Sequence, residues 1–209
     1  MNPRTVSLAN QTGGVGKATV VLTAAATLTV LTGCTDLLSE LNPVPEADAT
    51  VTQSTTVVRV IDGDTIAVQP TDELPATNDD GDEHVVRLLG IDAPEMNFYE
   101  AEDPECGAQA ATDYLAELLP EAAAVTVVYD ERADETDRYG RSLAYIESPE
   151  TEDAGLAMLT EGHAAAWVPQ SAPDPERLPT YEEAMTTAQR DRTGAWAQCP
   201  AIGRAGANA

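Results

Sequence analysis

The sequence predicts an α+β, mainly β fold: a five-stranded Greek-key barrel with about three helices, occupying residues 54–200. Three observations predict it. Alternating β-branched runs recur around turn signals; one segment of helical period separates the third run from the fourth; two more helical segments follow the last run. The resulting order is β-β-β-α-β-β-α-α. With 209 residues, 43% of them apolar, the chain can bury one core. Aromatic residues make up only 4%, so that core is built from Val, Leu, Ile and Ala.

The elements follow in order. "TTVVRVIDGDTIAVQP", residues 55–70, reads as a strand, a tight Asp-Gly turn or bulge, and a second strand. "TDELPATNDDGDE", residues 71–83, reads as a solvated acidic hairpin loop, and "HVVRLLGIDAPE", residues 84–95, as a strand that breaks at Ala93-Pro94. "AQAATDYLAELLP", residues 108–120, has helical period and stops at Pro120. "AAVTVVYD" is a strand ending near Asp130, and "DETDRYGRSLAYIES" a turn followed by a strand. "EDAGLAMLTEGHA" and "PTYEEAMTTAQRDRTGAW" are the last two helices. Five short strands with one inserted helix close as a barrel of the OB type, with helices packed at one side.

Ahead of the barrel the composition changes. Arg4 and Lys17 precede an apolar run at residues 18–30, "ATVVLTAAATLTV", which has the length of an export-signal core and is too short for a comfortable membrane span. It ends in "LTGC", residues 31–34, which resembles a lipobox. Residues 1–33 are therefore expected to be a lipoprotein-type signal peptide, with Cys34 lipidated and the mature protein held at the cell surface. A plain signal peptide or an uncleaved anchor is the alternative. "TGGVGKAT", residues 12–19, is not a nucleotide-binding loop: Gln11 stands where its first glycine belongs, and Ala18 cannot ligate magnesium. Residues 34–53, acidic and with two prolines from residue 43 on, read as a flexible tether, and residues 201–209 as a disordered tail.

Charge limits the partners. There are 36 acidic residues against 11 basic ones, a formal charge of −25. The only lysine, Lys17, lies in the acid-free first 33 residues, so every cation beyond them is arginine. Such a surface repels nucleic acid at long range in dilute salt, which excludes a general basic nucleic-acid coat. In molar salt the screening length falls to about 3 Å, and only local contacts count. A high-salt habitat is the expectation. Cys106 and Cys199 remain after Cys34; outside the membrane they are expected to pair as a disulfide, with two free thiols as the alternative.

The residues that carry chemistry sit at the strand ends. Asp64 and Asp92 offer carboxylate oxygens from two loops, which suits a hard cation, and no His or paired-Cys pattern suggests zinc. Glu95 follows Pro94, whose ring stiffens its loop; a glutamate beside a cation can orient and deprotonate water. Arg87 and Arg141 present planar forks that suit phosphate oxygens.

"VIDGDTI", "RLLGIDAPE" and "DRYGRSLAYI", in that order and followed by "LTEGHAAAW" and "GAW", resemble the staphylococcal nuclease family over roughly residues 55–198. The resemblance implies that Asp64, Asp92 and the backbone carbonyl of Ala93 ligate Ca²⁺, with Asp62 supporting the ion at one remove. Ala93 stands where many relatives carry Thr. The resemblance further implies that Glu95 is the general base or water-positioning residue and that Arg87 and Arg141 bind the scissile phosphate. Arg138 and Tyr139 would contact substrate, and Trp167 would either stack on a base or plug the core. The implied reaction is hydrolysis of DNA and RNA with little sequence preference, leaving 3′-phosphates, by a monomer without a protein partner. A non-catalytic OB-type nucleic-acid-binding surface lipoprotein is the alternative.

Overall fold

The computed structural model describes residues 51–97 and 103–204. The signal segment, Cys34 and nearly all of the tether lie outside these residues. Seven strands are present among them: β1 Thr52–Asp62, β2 Thr65–Val68, β3 His84–Leu88, β4 Ile91–Asp92, β5 Ala124–Val128, β6 Ser142–Glu147 and β7 Ala165–Ala166. The helices are α1 Ala108–Leu118, α2 Ala154–Thr160 and α3 Leu178–Asp191, with a 3₁₀ turn at Gly194–Ala197. None of the helices among the described residues is long and apolar enough to cross a membrane.

Five strands close a barrel in the order β1-β2-β3-β6-β5, with β1 pairing to both β2 and β5. The length of β1, 11 residues, makes this possible. Its pairing with β2 slips between Val57 and Arg59 and again between Val60 and Asp62, and such bulges bend a strand around a barrel corner. All ladders are antiparallel except β3 with β6. That parallel pair follows from the inserted helix, because a parallel connection needs a long crossover. Inward residues are aliphatic: Val57, Ile66, Val68, Val86, Leu88, Val125, Val127 and Ile146 are buried. α1 closes one end of the barrel with Ala111, Leu115 and the following Leu119.

The expected fold class is the observed one, with local differences. The strand expected over residues 84–95 is two pieces, because Gly90 takes a positive φ of 81° and turns the chain between β3 and β4. β4 pairs with β7, two residues against two, a length that carries no sequence period. The acidic loop at 71–83 is not wholly solvated: Leu74 is fully buried and plugs the core. Thr52 and Gln53, assigned to the tether, are the first rungs of β1 and pair with Val128 and Val127. The C-terminal boundary also moves, since Ile202 is 1% exposed and packs with Ala165 and Ala195, so the fold continues through Arg204. Cys106 and Cys199 are joined by a disulfide.

Candidate active site

The site forms where β1 turns into β2 and where β3 runs into β4. The turn holds Asp62-Gly63-Asp64. A side chain at Gly63 would come within 2.7 Å of the Cβ atoms of both Ala111 on α1 and Ala93. This glycine is therefore required by close approach rather than by a positive φ, and the approach seats the aspartates against the loop after β4. Asp64 grips that loop directly: the Ala93 N–H donates to its Oδ2 at 2.7 Å, and the Thr65 hydroxyl donates to its Oδ1 at 3.0 Å.

Arg87 ties the acids together. Its Nε lies 2.9 Å from Asp64 Oδ1, and its Nη2 donates to Asp92 Oδ1 at 3.0 Å. Its Nη1 donates to the carbonyls of Leu88 and Ile91, each at 2.9 Å. The residue is 8% exposed. A guanidinium has five N–H groups, so these contacts leave one Nη2 N–H for a further acceptor. Asp92 Oδ2 accepts the Arg204 backbone N–H at 2.6 Å.

Arg141 approaches from the loop before β6. Its Nε and Nη2 both lie 2.7 Å from Asp137 Oδ2, and its Nη1 reaches Thr65 Oγ1 at 3.5 Å, the hydroxyl that also serves Asp64. Asp137 accepts the Tyr139 and Arg141 backbone N–H groups as well. Burial alone would raise the Asp137 carboxyl, but these hydrogen bonds win and hold it below the usual carboxylate range. Tyr139 is 69% exposed; the Arg138 side chain donates to its hydroxyl, and the guanidinium carbons of Arg138 and Arg141 lie 4.7 Å and 5.5 Å from its ring centre.

These groups line one cleft of about 460 Å³, with Asp62, Asp64, Arg87, Glu95, Arg138, Tyr139, Arg141, Trp167 and Arg204 on its walls. Trp167 is half-buried on that wall rather than a core plug, with Arg204 Cζ 4.8 Å from its ring centre. Arg204 and Asp137 escaped the sequence reading. Asp137 opens the quoted "DRYGR" run, and its spacing of four from Arg141 was an available signal; Arg204 had none.

The acids are crowded. Burial, with the Asp64 charge adding to it, pushes the Asp62 carboxyl up to about 7. Burial raises Asp92 despite Arg87 and the Arg204 N–H. Burial and the charges of Asp64 and Asp92 raise Glu95. Among the described residues, no three His, Cys, Asp or Glu side chains converge as a ready metal cage. The donor chemistry nevertheless suits a hard cation: it is all oxygen, carboxylates have about four lone-pair sites each, and a cation would relieve the crowding of Asp62 beside Asp64.

The sequence matches the family model described as "Staphylococcal nuclease homologue" over residues 85–198. An uncharacterized endonuclease of Escherichia coli O157:H7 is 31% identical over 146 residues, covering 70% of this chain and 78% of that protein. The thermonuclease of Staphylococcus intermedius is 32% identical over 145 residues, 69% of this chain and 76% of its own. The thermonuclease of Staphylococcus hyicus is 36% identical over 94 residues, covering 45% and 48%. The matched family span begins at residue 85, so Asp64 enters the site through its contacts with Arg87 and Ala93, and Asp62 through the Asp64 N–H that it accepts and its place on the cleft wall, rather than through that match. Barrel, cleft and these likenesses agree, and the chain belongs to the staphylococcal nuclease family.

Proposed function

We propose that this protein is a calcium-dependent nuclease that hydrolyses DNA and RNA phosphodiesters with little sequence preference, acting as a monomer outside the cell. The observation that carries the reading is the meeting of Asp64, Arg87 and Asp92 in one cluster, with Arg141 one hydroxyl away and Glu95 on the same cleft.

Asp64 and Asp92, with the Ala93 carbonyl, would hold Ca²⁺, and Asp62 would support it. When bound, the ion would supply positive charge that offsets the charge developing on the phosphoryl group. The chain's own residues do the rest. The remaining Nη2 N–H of Arg87 and the guanidinium of Arg141 bind the phosphate and stabilise the negative charge that grows on its equatorial oxygens. Asp137 keeps Arg141 aimed through the contacts at 2.7 Å. Glu95, raised by burial toward neutrality, is a stronger base than an exposed glutamate; it takes a proton from water as the water oxygen bonds to phosphorus. The P–O5′ bond breaks, the 5′-oxygen leaves and takes a proton from solvent water, and the phosphate stays on the 3′ side. Arg138 and Tyr139 contact the strand at the cleft rim.

Export by the 1–33 segment, anchoring through a lipid on Cys34 and work in a salt-rich habitat belong to the same proposal. Support comes from the lipobox-like "LTGC" and the charge of −25. The test is digestion of plasmid and RNA by the full chain in high salt, with CaCl₂ or with EDTA, followed by end-group analysis. Calcium-dependent cleavage leaving 3′-phosphates is the expected result. A competing reading, a binding module without catalysis, draws on the protein donors already bonded to Asp64 and Asp92. DNA retained but uncut in both buffers would establish that reading instead.

A further inference from the structure

Four of the chain's 11 basic residues line this cleft: Arg87, Arg138, Arg141 and Arg204. They differ in what they have left to give. Arg87 is buried and nearly saturated, Arg141 is clamped by Asp137, and Arg138 stacks on Tyr139. Arg204 has a 54% exposed side chain, and its nearest carboxylate oxygens, on Asp92 and Glu95, are 3.8 Å and 3.7 Å away, beyond hydrogen-bond distance. Its guanidinium lies over the half-buried Trp167 ring, which holds the plane without consuming N–H donors.

The segment that delivers Arg204 is fastened at successive points. Cys199 is bonded to Cys106. Ile202 is buried against Ala165, Ala195 and Met185. Gly203 has a positive φ of 54°, and a Cβ there would lie 2.6 Å from the Asp92 carbonyl oxygen and 2.7 Å from its carboxylate. The Arg204 N–H then closes on Asp92 Oδ2 at 2.6 Å. A loose tail would need none of these.

We infer that Arg204 is a substrate-binding residue, a third guanidinium that takes a backbone phosphate of the polynucleotide next to the one held by Arg87 and Arg141, with Trp167 as its stacking platform. The inference rests on the proposed function in one respect: the same cleft receives a phosphodiester chain.

The test is equilibrium binding of a labelled single-stranded oligonucleotide to the full chain by fluorescence anisotropy, across a KCl series in CaCl₂ with a non-hydrolysable phosphorothioate backbone. Arg204→Ala should weaken binding roughly tenfold, the worth of one charge-assisted hydrogen bond. It should also raise the slope of log affinity against log salt by about 0.7, the counterion release of one phosphate contact on a single strand. Arg204→Lys should restore the slope and part of the affinity. Gly203→Ala, which keeps Arg204 but displaces its backbone, should reproduce the Arg204→Ala loss, with near-ultraviolet dichroism reporting that the barrel is intact. An Arg204→Ala chain with unchanged affinity, or with weakened affinity and the wild-type slope, would overturn the assignment. A chain that shows these differences but never cleaves a phosphodiester would sink the nuclease reading and leave this one standing.

Discussion

Replacing Arg87 by Met removes the buried charge while keeping an unbranched apolar stem, and the structure sets the size of the effect. Two carboxylates lose a cation at 2.9 and 3.0 Å, and the carbonyls of Leu88 and Ile91 lose donors at 2.9 Å. Removing one partner of a buried ion pair costs about 3–5 kcal/mol, because the charge left behind is uncompensated. Here compensation survives in part: Asp64 keeps the Ala93 N–H and the Thr65 hydroxyl, and Asp92 keeps the Arg204 N–H. The expected loss is therefore about 3 kcal/mol, the low end of that range, which a domain of ordinary stability survives folded. The assay is urea unfolding without calcium, followed by fluorescence of Trp167 and Trp196. A loss under about 1 kcal/mol, the level of a surface substitution, would refute the reasoning and make Arg87 a substrate arm that the fold does not need.

Glu95→Gln and Arg141→Ala should each lower kcat/KM by at least about a hundredfold while leaving the unfolding midpoint nearly unchanged, since both side chains are partly exposed; initial rates on calf-thymus-type DNA in CaCl₂ check this, and wild-type turnover in either variant contradicts the assigned roles. Removing the Cys106–Cys199 bond by paired Ser substitutions should cost about 4–5 kcal/mol by the chain-entropy account of a 93-residue separation, read as a shift in the denaturant midpoint under non-reducing conditions. Burial holds the His163 imidazole below its ordinary 6.5, despite the pull of Glu161 and Glu117, so the folded state favours the neutral ring. That stability is fully present above about pH 6.5 and drains away as pH falls through the depressed folded value; His163→Phe, which keeps the stack on Tyr114, should flatten the difference in melting temperature across this window.

The fold was legible because each barrel strand declares itself over several residues. Val85, Val86 and Leu88 flank Arg87 in β3, Val125 to Val128 run β-branched, and α1 repeats its Ala and Leu residues at helical spacing until Pro120. What escaped has no period to read. β4 and β7 are two residues each, fixed only by the pairing of Ile91 with Ala166 across the molecule. Leu74 is one apolar residue in an acidic loop, and only the finished barrel shows that it has a socket. The site splits along the same line. Asp64, Arg87, Asp92, Glu95 and Arg141 lie in local motifs with strand or turn context. Arg204 lies in an aperiodic C-terminal stretch and acquires meaning only from its contact with Asp92, 112 positions away.

The placement of charge accounts for how so acidic a chain could handle a polyanion. Several acids at the cleft spend their charge on arginines: Asp64 and Asp92 on Arg87, and Asp137 on Arg141. A carboxylate within 3 Å of a guanidinium contributes little field at a distance, yet it fixes where that guanidinium points. The cleft thus presents oriented N–H donors to a phosphate while carboxylates away from it, such as Glu73, Asp79 and Asp82 on the loop before β3, face solvent. Long-range repulsion from those outer charges is what added salt screens, whereas the arginine–carboxylate contacts that aim the guanidiniums, at 2.7–3.0 Å, lie inside even the molar-salt screening length of about 3 Å. On the proposed function, salt should remove the barrier to approach before it weakens the grip. That would invert the behaviour of a basic nuclease, in which the same salt removes the attraction that brings substrate in.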